Sequence, residues 1–378
     1  MNFELNGSRL REARLYRHMT IADLADEVSV TKQMISRYER GNATPGLEVF
    51  QKIIQALKFP LDYFTTKDRF EFQDGGTFFR SRLTATQSEK HPSETYKRAT
   101  AIVRDYFGEF IDFPELTDDQ FENETPRQAA IKLRNRWGLG DSPIPSMMRL
   151  LETHGLIVVV IDSGSNKIDA NSGFYTVDGR SYYIVLIDRA SHSFYREQST
   201  QAHELGHRVL HANILNPQEL DAEEYRIMER EANQFASEFL LPAKAFEKTL
   251  SSAKLDLKKY LYLKNHWHVS IAAMIYRARD LNLISADDYL KLQKKISYRK
   301  WRKVEPLDDL PTPSSTPVLL KQSLELLVQQ NILDPSELSN ELGIKYGTPF
   351  PNEILAEVIG VDLNQFSGEI VQLKRPVK

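Results

Sequence analysis

The chain contains no cysteine. Neither a disulfide framework nor a thiolate metal site is open to it, and the absence suits a reducing compartment. It also lacks a large charge excess, since 49 basic side chains stand against 52 acidic ones for a net charge of −3. A chain-wide positive coat is excluded, so any nucleic-acid binding must come from a local basic face. No apolar run reaches the roughly 20 residues that span a bilayer. The opening MNFELNGSRL lacks the apolar centre of a signal peptide. These absences lead us to expect a cytoplasmic protein with no membrane partner. What the chain does have is length: 378 residues suffice for several domains, each with its own core.

Against these absences stands QAHELGHRVLH, residues 201–211, in which His203, Glu204 and His207 take the spacing H-E-x-x-H. Residues four apart share one face of a helix, so both imidazoles can reach one metal ion. Glu204, beside the first of them, can reach a water bound to that ion, which makes it the candidate catalytic base of a zinc peptidase. Ala202, Leu205, Val209 and Leu210 suit a buried helix, and Gly206 permits close approach of another backbone. The plainer alternative is a pair of hydrogen-bonded core histidines. His211 cannot share an ion with His203, because eight helical residues separate them by about 12 Å. A third ligand has to come from another segment.

That segment is MEREANQFASEFLLP, residues 228–242. Ala232, Phe235, Ala236, Phe239 and Leu240 form an apolar stripe at helical spacing, and Pro242 follows the helix end. Glu229 sits a turn before Ala232 and Asn233, at the edge of the stripe, and is the candidate ligand. Glu231 is held in reserve; it points further toward solvent and reads more simply as a solvated carboxylate.

The pair H-E-L-G-H and E-x-x-A-N-x-F-A-x-x-x-L-L-P resembles the ImmA/IrrE family of metallopeptidases. The likeness extends upstream through HGLIVVVID, SGFY and YYIVLID and downstream through VSIAAMIYRARDLNLIS, over residues 140–300 or so. This resemblance implies a gluzincin-like domain, zinc (Zn2+) or manganese (Mn2+) at the site, and cleavage of a repressor-type protein.

Residues 8–64 read as five short helices. Thr20 caps one that runs to Glu27, with Ile21, Leu24 and Ala25 apolar. Val28, Ser29 and Val30 make a tight turn, and Thr31 caps the next helix, in which Ile35 and Tyr38 face inward. Thr31, Lys32, Gln33, Ser36 and Arg37 are the candidate DNA-binding residues, because long basic and amide side chains here can reach base edges and phosphates in the major groove. The stretch resembles the Xre and lambda-repressor-like helix-turn-helix family through Leu24-Ala25, Ile35, Glu39, Gly41 and Pro45. That resemblance implies a double-stranded DNA operator, with recognition positions on Lys32, Gln33 and Arg37. Ile21 departs from the pattern: many relatives carry Gln there, and a DNA contact is lost with it. Leu47, Val49, Phe50, Ile53, Ile54 and Leu57 also suggest a homodimer on an inverted repeat, although some of them must serve the core.

The remaining segments frame these two motifs. Residues 66–92, with an Asp74-Gly75-Gly76 turn and the pair Phe78-Phe79, read as a linker with one anchor. Residues 93–110 and 126–137 read as helices, the second capped by Thr125 with Pro126 at its first position. LIVVVID, 172–176 and 182–188 read as strands, the last two joined at Asp178-Gly179. An edge strand of such a sheet can pair with an extended substrate. One of Tyr175, Tyr182 and Tyr183 is a candidate oxyanion stabiliser, with simple packing as the alternative. Residues 255–300 are helical and basic through Arg277, Arg279, Lys291, Lys294, Lys295, Arg299 and Arg302, by default a solvated face. EPLDDLPTPSSTP reads as a linker, followed by Leu-rich helical segments at 318–328, 335–343 and 352–360.

The expected fold is multi-domain, mainly α with a small β-sheet. A lambda-repressor-like five-helix domain fills 1–68, and a linker and helical connector fill 69–124. An α+β gluzincin-like metallopeptidase domain fills 125–304, and a small helical C-terminal module fills 317–378. The expected function is a DNA-binding transcriptional regulator with a metal-dependent endopeptidase that cleaves a repressor, or a sister copy, to relieve repression. The alternative is a regulator whose peptidase-like domain senses a ligand, metal or partner without proteolysis. The intact Glu204 favours the first reading.

Overall fold

The structure, a computed structural model, describes residues 4–81, 87–121, 123–161, 168–188, 193–214, 219–250, 254–310 and 316–366. Five helices form the N-terminal domain: α1 (Gly7–Tyr16), α2 (Ile21–Glu27), α3 (Lys32–Glu39), α4 (Leu47–Leu57) and α5 (Leu61–Thr65). Thr20 opens α2 with a capping box completed by Asp23, and the Thr31 side chain accepts from the Met34 amide at the start of α3. Each such cap contributes about 0.5–2 kcal/mol. Ser29, at φ 59°, turns the chain between the two helices. Leu24, Ala25, Ile35, Phe50, Ile53 and Leu57 are buried at the centre. Arg14 of α1 clamps Glu39 of α3, with Nε donating to Oε1 at 2.6 Å and Nη2 to Oε2 at 3.1 Å.

The stretch expected as a linker at 66–92 instead carries strand β1 (Phe72–Ser81) and the first turns of α6 (Gln87–Phe107). Its pairing with the strand at Ile168–Val177 slips between Asp74 and Thr77, where Gly75 and Gly76 lie. A bulge at that point breaks the two-residue alternation by which strands are read, so the segment looked like a turn. The sheet is completed by β2 (Ile157–Ile161), β3 (Ile168–Val177) and β4 (Arg180–Asp188) in the order β1-β3-β4-β2. β1 and β4 run antiparallel to β3, while β2 runs parallel to β4. Asp178 and Gly179 both take positive φ, the geometry of a tight two-residue hairpin.

Side chains alternate across a strand, and here both faces are covered. Val158, Tyr183, Val185 and Ile187 face a core built with α7 (Pro126–Arg136), α8 (Met147–Thr153), α9 (Phe194–Leu210) and α10 (Ala222–Leu240). The same core takes in α11 (Ala243–Leu250), α12 (Leu257–Trp267), α13 (Ile271–Asp280) and α14 (Ala286–Tyr298). Ile157, Val159, Ile184 and Leu186 face a second core, shared with α6 and the N-terminal domain. The C-terminal helices α15 (Leu319–Gln329), α16 (Leu338–Tyr346) and α17 (Asn352–Ile359) also enter it.

Polar contacts fix this second assembly. Asp105 on α6 accepts from Tyr182 and Tyr346 hydroxyls at 2.6 Å and from Arg180 at 2.8 Å, joining β4 to α16. Arg17 meets Glu353 at 3.0 Å, and the Thr66 hydroxyl donates to the Gly347 carbonyl at 2.7 Å. Gly347 sits at φ 68°, and a Cβ there would stand 2.1 Å from the Lys67 carbonyl. The N-terminal domain and the C-terminal module are therefore in direct backbone contact.

The second expected linker, EPLDDLPTPSSTP, is also anchored at its start. Glu305, 2 % exposed, accepts from the Ile271 and Ala272 amides at the start of α13. Glu305 and Asp308 hold the buried Lys264 ammonium at 3.0 and 2.6 Å. Composition conceals such an anchor, because an acidic residue in a Pro-rich run reads as solvated; residues 311–315 lie outside those described. Of the basic stretch 255–300, Arg277 is buried against Glu238 and Asp280, whereas Arg279, Lys291, Lys294, Lys295 and Arg299 are exposed. No helix among the described residues is long and apolar enough to cross a membrane.

Candidate metal centre and nucleic-acid interface

The H-E-x-x-H segment lies on α9 and the E-x-x-A-N segment on α10, and the two helices cross at Gly206. A Cβ on Gly206 would stand 3.1 Å from the Ala232 carbonyl and from the Phe235 ring. That close approach brings the α10 carboxylate to the α9 imidazoles. Among the described residues, His203, His207 and Glu229 are the group whose donor atoms gather within 4.8 Å of one another. The two Nε2 atoms are 3.0 Å apart, and the Glu229 carboxylate oxygens lie 3.4 Å from each of them.

This donor set fits a divalent ion. Ligands on zinc at its usual bond lengths stand about 3.3 Å apart around a tetrahedron, and two imidazoles with a carboxylate leave a fourth position open. With both Nε2 atoms turned inward, the Nδ1 atoms need outer partners, and they have them. His203 Nδ1 lies 3.1 Å from Asn233 Oδ1, whose own amide donates to the Glu229 carbonyl at 2.7 Å. His207 Nδ1 lies 3.2 Å from His211 Nδ1, and His211 Nε2 lies 3.1 Å from Glu231 Oε2. Burial and the neighbouring His207 push the His211 pKa down to about 4, so His211 is neutral and can accept from His207. Burial pushes the Glu229 carboxyl up, but hydrogen bonds and charge from His203 and His207 outweigh it and hold the group below the usual carboxylate range.

Glu204 is fully buried on the sheet side of α9. The Ser172 hydroxyl of β3 donates to its Oε2 at 2.5 Å and stands 3.0 Å from the Tyr183 hydroxyl. Tyr183 in turn reaches the Glu204 carbonyl at 3.4 Å. None of the three strand tyrosines is placed as an oxyanion donor. Tyr183 is sealed behind Glu204, while Tyr175 and Tyr182 lie toward α6, where their hydroxyls meet Glu94 and Asp105. Tyr182 and Tyr183 are successive on β4 and point to opposite faces, and Tyr175 of β3 is the register partner of Tyr182 and shares its face.

Four contributors escaped the sequence reading. Ser172 lies in SGFY and Asn233 in the α10 motif, where spacing gives neither a role, and helix length excludes His211 as a ligand of the same ion as His203 without pointing to another use. The fourth, Tyr225, lies one turn before Glu229. Burial and a hydrogen bond to the Glu229 carboxylate raise its hydroxyl above the usual tyrosine range. Beside Glu229 and Asn233 opens a cavity of about 710 Å³ between α10 and α13, lined by Ala236, Leu240, Leu241, Val269 and Tyr276 together with Arg226 and Arg230.

In the N-terminal domain, Thr31, Lys32, Gln33 and Arg37 are exposed along the outer face of α3, and Ser36 is half-buried. Ile35 and Tyr38 are buried on the opposite face. Ile21 packs against the core at the start of α2.

The architecture is thus that of a helix-turn-helix module joined to an H-E-x-x-H-type donor cluster on an α+β scaffold. Comparison with known families agrees with both halves. Residues 10–64 match the helix-turn-helix family, and residues 151–279 match the IrrE N-terminal-like domain. The chain therefore carries a helix-turn-helix DNA-binding domain and an IrrE-like peptidase-family domain. No curated protein matches the chain.

Proposed function

We propose that this protein is a transcriptional regulator whose second domain is a metal-dependent endopeptidase, with a repressor-type protein or a sister copy as substrate. The convergence of His203, His207 and Glu229 beside a buried Glu204 is the observation that carries the reading. A divalent ion there, zinc or manganese, would polarise a peptide carbonyl and make a water acidic enough to attack near neutral pH. Glu204 takes the proton from the attacking water and returns it to the leaving amide nitrogen. Ser172 fixes the Glu204 carboxylate by its hydrogen bond, and Asn233 and the His211–Glu231 pair fix the two imidazoles. The cavity beside Glu229 accommodates an apolar side chain next to the scissile bond.

The N-terminal domain brings this chemistry to a DNA operator through Thr31, Lys32, Gln33, Ser36 and Arg37. Phe50, Ile53 and Leu57 are consumed by the core, so a homodimer there would rest on Leu47 and Leu61, 67 % and 51 % exposed. The reading is tested by incubating metal-loaded protein, with and without a chelator, alone and with co-encoded repressors, and examining fragments by mass spectrometry. Chelator-sensitive fragments support it. Should the intact chain bind and release DNA in response to a ligand while cutting nothing, the domain is a sensor.

A further inference from the structure

The region matching the IrrE N-terminal-like domain begins at residue 151 and so contains β2, β3 and β4 but not β1. In that three-stranded sheet β3 is an edge, since the order is β3-β4-β2. β3 is also the strand that touches the candidate base, through the 2.5 Å bond from Ser172 to Glu204. A strand edge presents a row of unpaired amides and carbonyls, the natural template for an extended peptide. In this chain that edge is already taken. β1 comes from the segment joining the N-terminal domain to the rest, and it runs antiparallel along β3 with Phe78 in register with Ser172.

The two halves of β1 are held differently. Its beginning is anchored: Asp178 donates its amide to the Glu71 carbonyl at 3.1 Å, Arg69 donates to the Tyr346 carbonyl at 3.0 Å, and Phe72 stacks on Tyr175 with ring centres 6.0 Å apart. The half beside Ser172 is flanked by two register breaks, one between Asp74 and Thr77 and one between Phe79 and Ser81. Each break removes ladder bonds, and the glycine pair at the first weakens a strand further.

We propose that residues 77–81 of β1 occupy the backbone position of the substrate, so that an extended peptide must displace them from β3 to reach Glu204. The occupant is part of this chain, and its competitor is an unpaired extended segment of a protein. The role of the competitor as substrate rests on the peptidase reading above; the exchange on the edge of β3 does not.

The chain has no cysteine of its own, so a cross-strand disulfide can lock this half alone. Thr77 and Gly173 are register partners, and paired strands hold such Cα atoms about 4.5–5.5 Å apart, within disulfide reach. The probe is a fluorescent peptide of sequence FQDGGTFFRS, residues 72–81, followed by anisotropy on T77C/G173C protein that also carries Glu204→Gln to prevent turnover. The reduced protein should bind the peptide and the oxidised protein at least tenfold more weakly. Phe78→Pro, without the lock, should bind more tightly than its parent, because proline weakens a paired strand. Equal binding by oxidised and reduced protein, or no binding by any form including Phe78→Pro, overturns the proposal. If the lock abolishes binding while protein with Glu204 intact never cuts a peptide, the strand exchange stands and the peptidase reading falls.

Discussion

At the scale of single residues, the choice between Glu229 and Glu231 shows what a sequence can and cannot decide. Both lie on one turn of α10, and only the crossing angle with α9 determines which carboxylate meets the imidazoles. Glu229 lies 3.4 Å from both Nε2 atoms, whereas Glu231 meets His211, which in turn meets His207. The two should therefore fail differently. Glu229→Ala removes one of three donors and should abolish stoichiometric metal on purification. Glu231→Ala removes only an outer partner and should weaken metal binding by about 10–100-fold. Metal titration of the two variants measures the difference; equal losses would contradict the assignment.

At the scale of elements, the helices were legible because their signals are local. Thr20, Thr31 and Thr125 each cap the helix expected of them. β1 was not legible, because its identity as a strand comes from β3, a partner distant in sequence, and because its glycines sit at a bulge. Ser172 was missed for a related reason: its nearness to Glu204 is a property of sheet register and helix docking together. Gly206 is the element-level feature on which the centre depends. Gly206→Val would drive a branched side chain into the Ala232 carbonyl, and overpacking of this kind costs about 1–3 kcal/mol. The variant should show a lowered thermal midpoint and weakened metal binding together, since α9 and α10 each carry part of the donor set. Preserved metal affinity would show that the helices can part without disturbing it. On α3, Arg37→Ala should weaken specific DNA binding by about 1–3 kcal/mol if Arg37 reads a guanine. Equal loss on specific and random DNA, compared by anisotropy, would limit Arg37 to a phosphate.

At the scale of the whole molecule, composition suggested domains strung on linkers, and both expected linkers instead begin as structure. The segment after α5 enters the sheet, and the segment after α14 buries Glu305. The Lys264–Glu305 pair is almost wholly enclosed, and losing Glu305 leaves Lys264 with Asp308 alone and strips the Ile271 and Ala272 amides of their acceptor, at about 1–3 kcal/mol for each buried polar group left unsatisfied. Glu305→Ala should lower the denaturation midpoint accordingly; an unchanged midpoint would mean that the pair is dispensable. The contacts of Arg9, Arg17 and Thr66 with the C-terminal module tie the DNA-binding domain to the same core that backs the sheet. α6 packs in that core against both the N-terminal domain and the sheet that carries Ser172.

Glu204→Gln tests most directly whether the cluster on α9 and α10 is catalytic. The variant keeps both histidines and Glu229, so its metal content and DNA binding should equal those of the wild type. Loss of a positioned base costs about 10²–10⁴ in rate, so fragments that the wild type releases from a co-encoded repressor or from itself should disappear from the mass spectrum. Fragments released equally by both proteins, or wild-type regulation of transcription by the variant with no cleavage by either, would contradict the account.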